Sequence, residues 1–283
     1  MDYAGFLRTH QFALVDQAHL KPQEWHEGLP LLPLESYALK ANPDLLPALL
    51  PLEPGAPYMD ALIENLELAE DDPGLLTPCA LLTVALGTEP EQLQRHLGKC
   101  LVVNLEVGRT AYVRYFDPTV FPWLARIIPP NRLSLLYGPI LSWTIPFQKE
   151  WVSFPAPQTE HKAAAWVMTA EQWERVELIR LVDRVLTECE KVMGCPWESF
   201  EEYDHAAITA ERAMMTAQTL YGIERLVDLQ AFAVDSVFHG EHFHRHPFIQ
   251  NLLRHLPPEG YKAASFEINQ ATWAEAKALT HSH

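Results

Sequence analysis

The chain has 283 residues, 48% of them hydrophobic and 20% charged, a balance that excludes wholesale disorder and a length that suits two domains better than one small core. Its formal charge of −16, from 37 acidic against 21 basic residues, repels a phosphate backbone, and no Lys/Arg stripe interleaved with aromatics offsets it, so nucleic acid is not an expected partner. No segment approaches the ~20 consecutive apolar residues of a membrane span. The N-terminus lacks the basic region and apolar run of a signal peptide, so the expected location is the cytoplasm, without membrane insertion.

In chain order, β-type runs recur at Phe12–Asp16, Ser36–Lys40, Cys79–Leu86, Cys100–Glu106, Ala111–Phe116 and Leu141–Phe147. Thr88 followed by Glu91 spells a capping box that opens the amphipathic helix "EQLQRHLGKCL". Leu101–Glu106 and Thr110–Phe116, joined by a turn at Val107-Gly108, predict a hairpin. On its second strand, Tyr112, Arg114 and Phe116 share one side and Val113 and Tyr115 the other. Arg114 is therefore placed to stack on an aromatic or to pair with a carboxylate such as Asp117. The stretch "DPTVFPWLARII" predicts a helix with Asp117 as N-cap and Pro118 as first helical residue. Most of the 23 prolines fall before residue 160, and "FPAPQTEHK" has the composition of a linker.

Beyond the linker the pattern is helical. Thr169 and Gln172 spell a second capping box, after which Trp173, Val176, Ile179, Val182, Leu186, Cys189 and Val192 recur at three- and four-residue steps. Ser199 and Glu202 open another helix; a third carries Ile223, Leu226, Val227, Val234 and Val237 on one side. A shorter helix follows Pro247, and Thr272 with Glu275 opens the last. The fold class is α+β: an N-terminal mixed α/β lobe with a β-sheet, residues 1–158, followed by an all-helical C-terminal lobe, residues 159–283.

Chemistry-bearing motifs are sparse. Cys79, Cys100, Cys189 and Cys195 lack the two- to four-residue gaps of a zinc ribbon and suit buried free thiols. The segment "HGEHFHRHP" packs His239, His242, His244 and His246 closely, and with Glu241 it offers a metal-dependent hydrolase as the alternative reading. Its position between a helix ending at Gly240 and one starting at Pro247 argues instead for a polar connector. There is no HExxH, no G-x-S-x-G and no glycine-rich phosphate loop. The carboxylate pairs Asp71-Asp72 and Glu201-Glu202 suit solvated turns and helix starts. No catalytic residue, metal or cofactor is expected.

The stretch "LVVNLEVGRTAYVRYFDPTVFPWLARIIPPNRLSLLYGPILSW" resembles the core of the type VI secretion effector-chaperone family, or effector adaptors, first catalogued as a domain of unknown function. Members show a hairpin ending in a basic-aromatic-aromatic-Asp-Pro motif, matched by Arg114, Tyr115, Phe116, Asp117 and Pro118. A helix, a Gly-Pro turn matched by Gly138-Pro139, and a strand bearing Trp143 follow. "FALVDQAH", "GAPYMDAL" and "EPEQLQRHLGKCLVV" fit the same order of segments, and "HFHRHPFIQNLL" is similar to a His-Pro helix start in that family. Relatives often carry Arg-Phe-Tyr-Asp-Pro, so the order of the two aromatics is exchanged here.

The resemblance implies a non-enzymatic adaptor that binds a secreted effector, a toxin, in the cytoplasm. It would load that effector onto the spike protein of the secretion apparatus without itself being exported. The expected mechanism is capture of an apolar or amphipathic effector segment in a groove between the lobes, with specificity set by the helical lobe. Leu136, Tyr137, Trp143 and Phe147 are the candidate partner-binding residues, since aromatics at interface centres carry much binding energy; filling the α+β core is their ordinary use. The acidic segment "WESFEEYD" suits a basic patch on effector or spike, or a solvated helix start.

Overall fold

A computed structural model describes residues 2–17, 28–36, 46–69, 78–160 and 163–280. Contacts divide the chain into two compact units, Met1–Val176 and Glu177–His283. The first is a mixed α/β unit and the second is helical, the expected class. The division falls later than 158/159. Strand β9 (Val167–Met168) pairs with β5 (Val102–Leu105), and Trp173 and Val176 pack on the first unit's core, so the chain past the proline-rich stretch still belongs to that unit.

The first unit is built on β1 (Phe12–Val15), which lies between β3 (Ala48–Pro51) and β4 (Ala80–Val84), antiparallel to both. Short β2 (Leu32–Pro33) extends the sheet beyond β3. On the other side β7 (Ile140–Phe147) pairs with β4, and β8 (Glu150–Pro155) pairs with β7. The described order is therefore β2-β3-β1-β4-β7-β8. Successive side chains of a strand point to opposite faces. Phe12 and Leu14 enter one core with Leu49, Leu82 and Trp143, while Ala13 and Val15 enter another with Leu50 and Leu81. Burial on both faces explains why β1 reads as the unbroken apolar run "FALV" and not as an alternation.

Helices cover both faces. α1 (Tyr3–Leu7) and α2 (Pro57–Ala69) contribute Tyr3, Leu7, Met59, Leu62 and Leu66 to the second core. α3 (Pro90–Cys100), α4 (Phe121–Ile127) and α5 (Pro130–Tyr137) contribute Leu93, Leu97, Phe121, Leu124, Leu133 and Leu136 to the first. Gly98 sits mid-helix on α3 because a Cβ there would run into the backbone of Glu35. The predicted hairpin forms from β5 and β6 (Thr110–Tyr112), with Val102 opposite Tyr112, and β9 joins β5 in parallel to complete a small second sheet.

Three expectations in this unit are corrected. Thr88 does not cap α3: its hydroxyl donates to the Ala85 carbonyl at 2.7 Å, and the helix starts with Pro90 after Glu89. Part of the "linker" is β8, an ordered strand up to Pro155. β3 was not among the predicted strands; it lies in a proline-rich stretch, and Pro51 closes it. The run Ser36–Lys40 lies almost wholly outside the described residues, as do Asp71 and Asp72.

In the helical unit and leading into it, α6 (Ala170–Met193) starts with the predicted reciprocal cap. Gln172 N–H donates to Thr169 Oγ1 at 3.1 Å and Thr169 N–H to Gln172 Oε1 at 3.0 Å. α7 (Phe200–Tyr221) is capped by Ser199, whose hydroxyl accepts from Glu202 N–H. α8 (Leu226–His239) begins later than predicted and buries a different face. Asp228, Leu229, Phe232, Ala233 and Ser236 are inside, and Leu226 and Val227 are exposed. Polar Asp228 and Ser236 lie inside while apolar Leu226 and Val227 lie outside, so periodicity alone does not select this face. Phe232 does, by packing on Phe243 at 4.9 Å and Tyr261 at 5.3 Å between ring centroids. Asp228 can be buried because it accepts from Lys262 N–H and pairs with Arg225.

α9 (Pro247–Arg254), α10 (Tyr261–Ser265) and α11 (Gln270–Thr280) complete the unit. α11 starts earlier than Thr272 because Asn269 Oδ1, not a Thr272–Glu275 box, accepts the Thr272 N–H at 2.9 Å. No helix among the described residues is long and apolar enough to cross a membrane.

Candidate functional site

The Arg-Tyr-Phe-Asp-Pro motif lies past the strand that was expected to carry it. β6 stops at Tyr112, and residues 115–120 form turns that lead to α4. The two-sided alternation therefore fails, and adjacent Tyr115 and Phe116 are both fully buried. Tyr115 donates its hydroxyl to the Leu97 carbonyl at 2.7 Å, and burial pushes its pKa well above the ordinary tyrosine value. Arg114 reaches Asp16 Oδ2 at 2.9 Å and Asp117 Oδ2 at 3.4 Å, with its guanidinium carbon 5.0 Å from the centre of the Phe116 ring. Stacking and pairing, foreseen as alternatives, both occur. Burial works against the Arg114 charge, but Asp117 and Asp16 outweigh it and raise its pKa.

Asp117 caps a turn and not the helix itself. Its Oδ1 accepts from Thr119 N–H at 3.0 Å and from the Thr119 hydroxyl at 2.8 Å. Its backbone carbonyl accepts from the N–H groups of Val120 and Phe121, and the α-helix begins only at Phe121 with Val120 at the N-cap. Pro118 is thus a turn residue. Gly138 ends α5 with φ of 54°, a conformation favouring glycine; a Cβ there would also collide with the His96 ring. Pro139 follows, its carbonyl accepting from Ala85 N–H at 2.9 Å as β7 joins β4.

Three of the four candidate partner-binding residues belong to the core. Leu136 and Tyr137 are buried on the inner side of α5, and Trp143 is buried because β7 is an interior strand whose inner face is covered by α4 and α5. Tyr137 donates its hydroxyl to the Phe154 carbonyl at 3.0 Å. Phe147, at the end of β7, is half-buried.

Three of the four histidines take separate partners. His239 stacks on Trp273, centroids 4.2 Å apart and planes at 14°. His242 precedes a 3-10 turn (Phe243–Arg245). His244 Nδ1 is 2.8 Å from the Tyr221 hydroxyl, and burial pushes its pKa down to about 4. His246 Nε2 is 3.1 Å from Glu275 Oε2. Glu241 pairs with Arg212 at 3.1 Å. Among the described residues no three His, Cys, Asp or Glu side chains are grouped to hold a metal ion, so the hydrolase alternative has no assembled site there. The connector reading matches the turn between α8 and α9.

Of the cysteines, Cys79, Cys100 and Cys189 have thiols pushed up to about 12 by burial. Cys195 departs from the expectation and is exposed. It lies on the wall of a cleft of about 1120 Å³ formed by the end of α6, the α6–α7 connection, the first turns of α7, α8 and the loop after it. Sequence reasoning singled out the acidic segment "WESFEEYD" and, as a candidate metal ligand, Glu241, but placed neither in a cleft and passed over Ser236; only folding brings them together.

Asp235 on α8 accepts the Tyr261 hydroxyl at 2.6 Å, and desolvation raises its pKa from 3.8 to about 6. The folded chain therefore holds this proton more tightly than the unfolded chain. The stability it contributes is present below about pH 4 and is lost as pH rises through about 6. Asp235→Asn keeps an acceptor for Tyr261 and removes the buried charge. The substitution is expected to raise stability at pH 7 by about 1–2 kcal/mol, with the advantage vanishing toward pH 4. Urea denaturation across that range checks it, and an advantage independent of pH would refute the assignment.

Residues 12–135 match the family model described as "Domain of unknown function (DUF4123)". The match runs from β1 into α5 and contains the whole Arg114–Pro118 motif. No curated protein and no solved structure matches the chain.

Proposed function

We propose that the protein is a non-enzymatic adaptor of the bacterial cytoplasm that binds a type VI secretion effector and delivers it to the spike protein of the secretion apparatus. The observation that carries this reading is the match over residues 12–135, because it spans the motif on which the resemblance to effector chaperones rests. The geometry of that motif is consistent with a scaffold. Arg114 is committed to Asp16 and Asp117, Asp117 to Thr119, and the Tyr115 hydroxyl to Leu97. Polar groups satisfied in this way hold a turn in place and leave no nucleophile or general base poised there.

The test is native purification from the protein's own cells, followed by mass spectrometry of whatever co-elutes. One toxin and one spike component are expected in the same fraction, and the isolated protein should turn over no substrate. Recovery of neither component would overturn the proposal.

A further inference from the structure

We infer that the cleft of the helical unit is a docking groove for an amphipathic, Lys/Arg-bearing segment of a protein partner. This deepens the adaptor reading and rests on it in one respect: the segment belongs to the effector. At about 1120 Å³ the cleft exceeds the ~300–1,000 Å³ of ordinary small-molecule pockets. Met193 and Val237 give it apolar walls and Trp197 an aromatic one, the side chains that adapt to and anchor a protein partner.

Charge selects the occupant. Glu198, Glu201 and Glu202 are exposed on one rim. The cleft's arginine, Arg212, is neutralised by Glu241 at 3.1 Å, leaving the rim acidic. A partner segment carrying Lys or Arg beside its apolar face complements this wall. Two glutamates in the first turn of α7 also favour the helix N-terminus, so acidity alone does not make a site.

The second observation is independent of charge. Trp197 and Ser236 both line the cleft and are only 8% and 1% exposed. The indole Nε1 of the first and the hydroxyl of the second are buried with no hydrogen-bond partner among the described residues. Buried donors are almost always paired, and leaving one unpaired incurs its full desolvation penalty. Both atoms lie beneath the cleft surface; a bound segment that shifts the Trp197 wall would offer a carbonyl to the indole N–H and remove that penalty, which an apolar occupant cannot do.

The test uses the full chain and two synthetic amphipathic helices, one of leucine and lysine and one of leucine and glutamate. The lysine peptide is expected to bind saturably and the glutamate peptide not to bind. Glu198→Lys/Glu201→Lys should weaken binding by about tenfold or more; the milder Glu198→Gln/Glu201→Gln pair should act in the same direction should the first variant fold poorly. Glu64→Lys/Glu67→Lys, an exposed pair on α2, should change it by less than about twofold. In NMR, the indole N–H signal of Trp197, assigned through Trp197→Phe, should move downfield on binding as its hydrogen bond forms.

Equal weakening by the two lysine variants, or an unmoved indole signal, overturns the groove. Comparison with native purification separates the two claims. An effector captured equally by the wild type and by Glu198→Lys/Glu201→Lys overturns the groove and leaves the adaptor standing. Capture of no effector, with the peptide results as expected, sinks the adaptor reading and leaves a groove for some other basic segment.

Discussion

Trp143→Ala is expected to lower the stability of the first unit by about 3–5 kcal/mol, the loss typical of deleting a fully packed aromatic. The ring is fully buried on β7. It stacks on Phe121 at 4.6 Å and 13°, and meets the edges of Tyr115 at 5.7 Å and Tyr137 at 6.2 Å. Leu82 of β4 and Phe154 of β8 stand opposite it in the sheet. Removing it therefore empties the point where sheet, motif turn and two helices meet, and so many neighbours cannot collapse together into the gap. Trp143→Phe should cost only about 1–2 kcal/mol, because the indole Nε1 has no partner among the described residues and its removal relieves an unpaired donor. Phe147→Ala, at the half-buried strand end, should cost less than about 1.5 kcal/mol. Urea melts of the three variants give the ranking; a Trp143→Ala loss below that of Phe147→Ala would mean that this cluster does not hold the sheet.

Local grammar carried much of the fold. The Thr169 box, the Ser199 cap, Pro247 at a helix start and the hairpin around Gly108 are satisfied within a few residues, and each is visible in sequence because its partners are adjacent. Competing partners, some only two or three residues away, defeated the others. Thr88 spends its hydroxyl on Ala85, Asp117 turns its carboxylate to Thr119 and Arg114 before any helix begins, and α8 takes its buried face from Phe243 and Tyr261. Strands β3 and β8 hide among prolines that break periodicity without preventing pairing at a strand end.

The candidate sites follow the same division. Arginine, aromatics and aspartate were legible as a motif, but Asp16, the partner that fixes Arg114, lies 98 positions away. Likewise the acidic rim of the cleft was visible in "WESFEEYD". Ser236 on the far wall was not, since a serine in an apolar helix carries no signal until the neighbouring helix shows which face is covered.

Arg114→Ala should cost about 2–4 kcal/mol, because Asp16 is only 7% exposed and would be left without its guanidinium. Asp16 sits just past β1, whereas Arg114 sits just past β6, so the pair fastens the motif turn to the end of the first strand. Arg114→Lys should recover only part of the loss, since an ammonium cannot meet Asp16 and Asp117 with two nitrogens of one fork while also staying over the Phe116 ring. A double-mutant cycle with Asp16→Asn should give a coupling of at least about 1 kcal/mol. The same variants decide what the motif is for. A clasp predicts that partner capture falls only as far as folding does, and that Asp16→Asn and Arg114→Ala act alike. Should Arg114→Ala leave the urea midpoint unchanged and abolish capture, the guanidinium would be a contact offered to the partner, and the reading of Arg114–Pro118 as internal scaffold would fail.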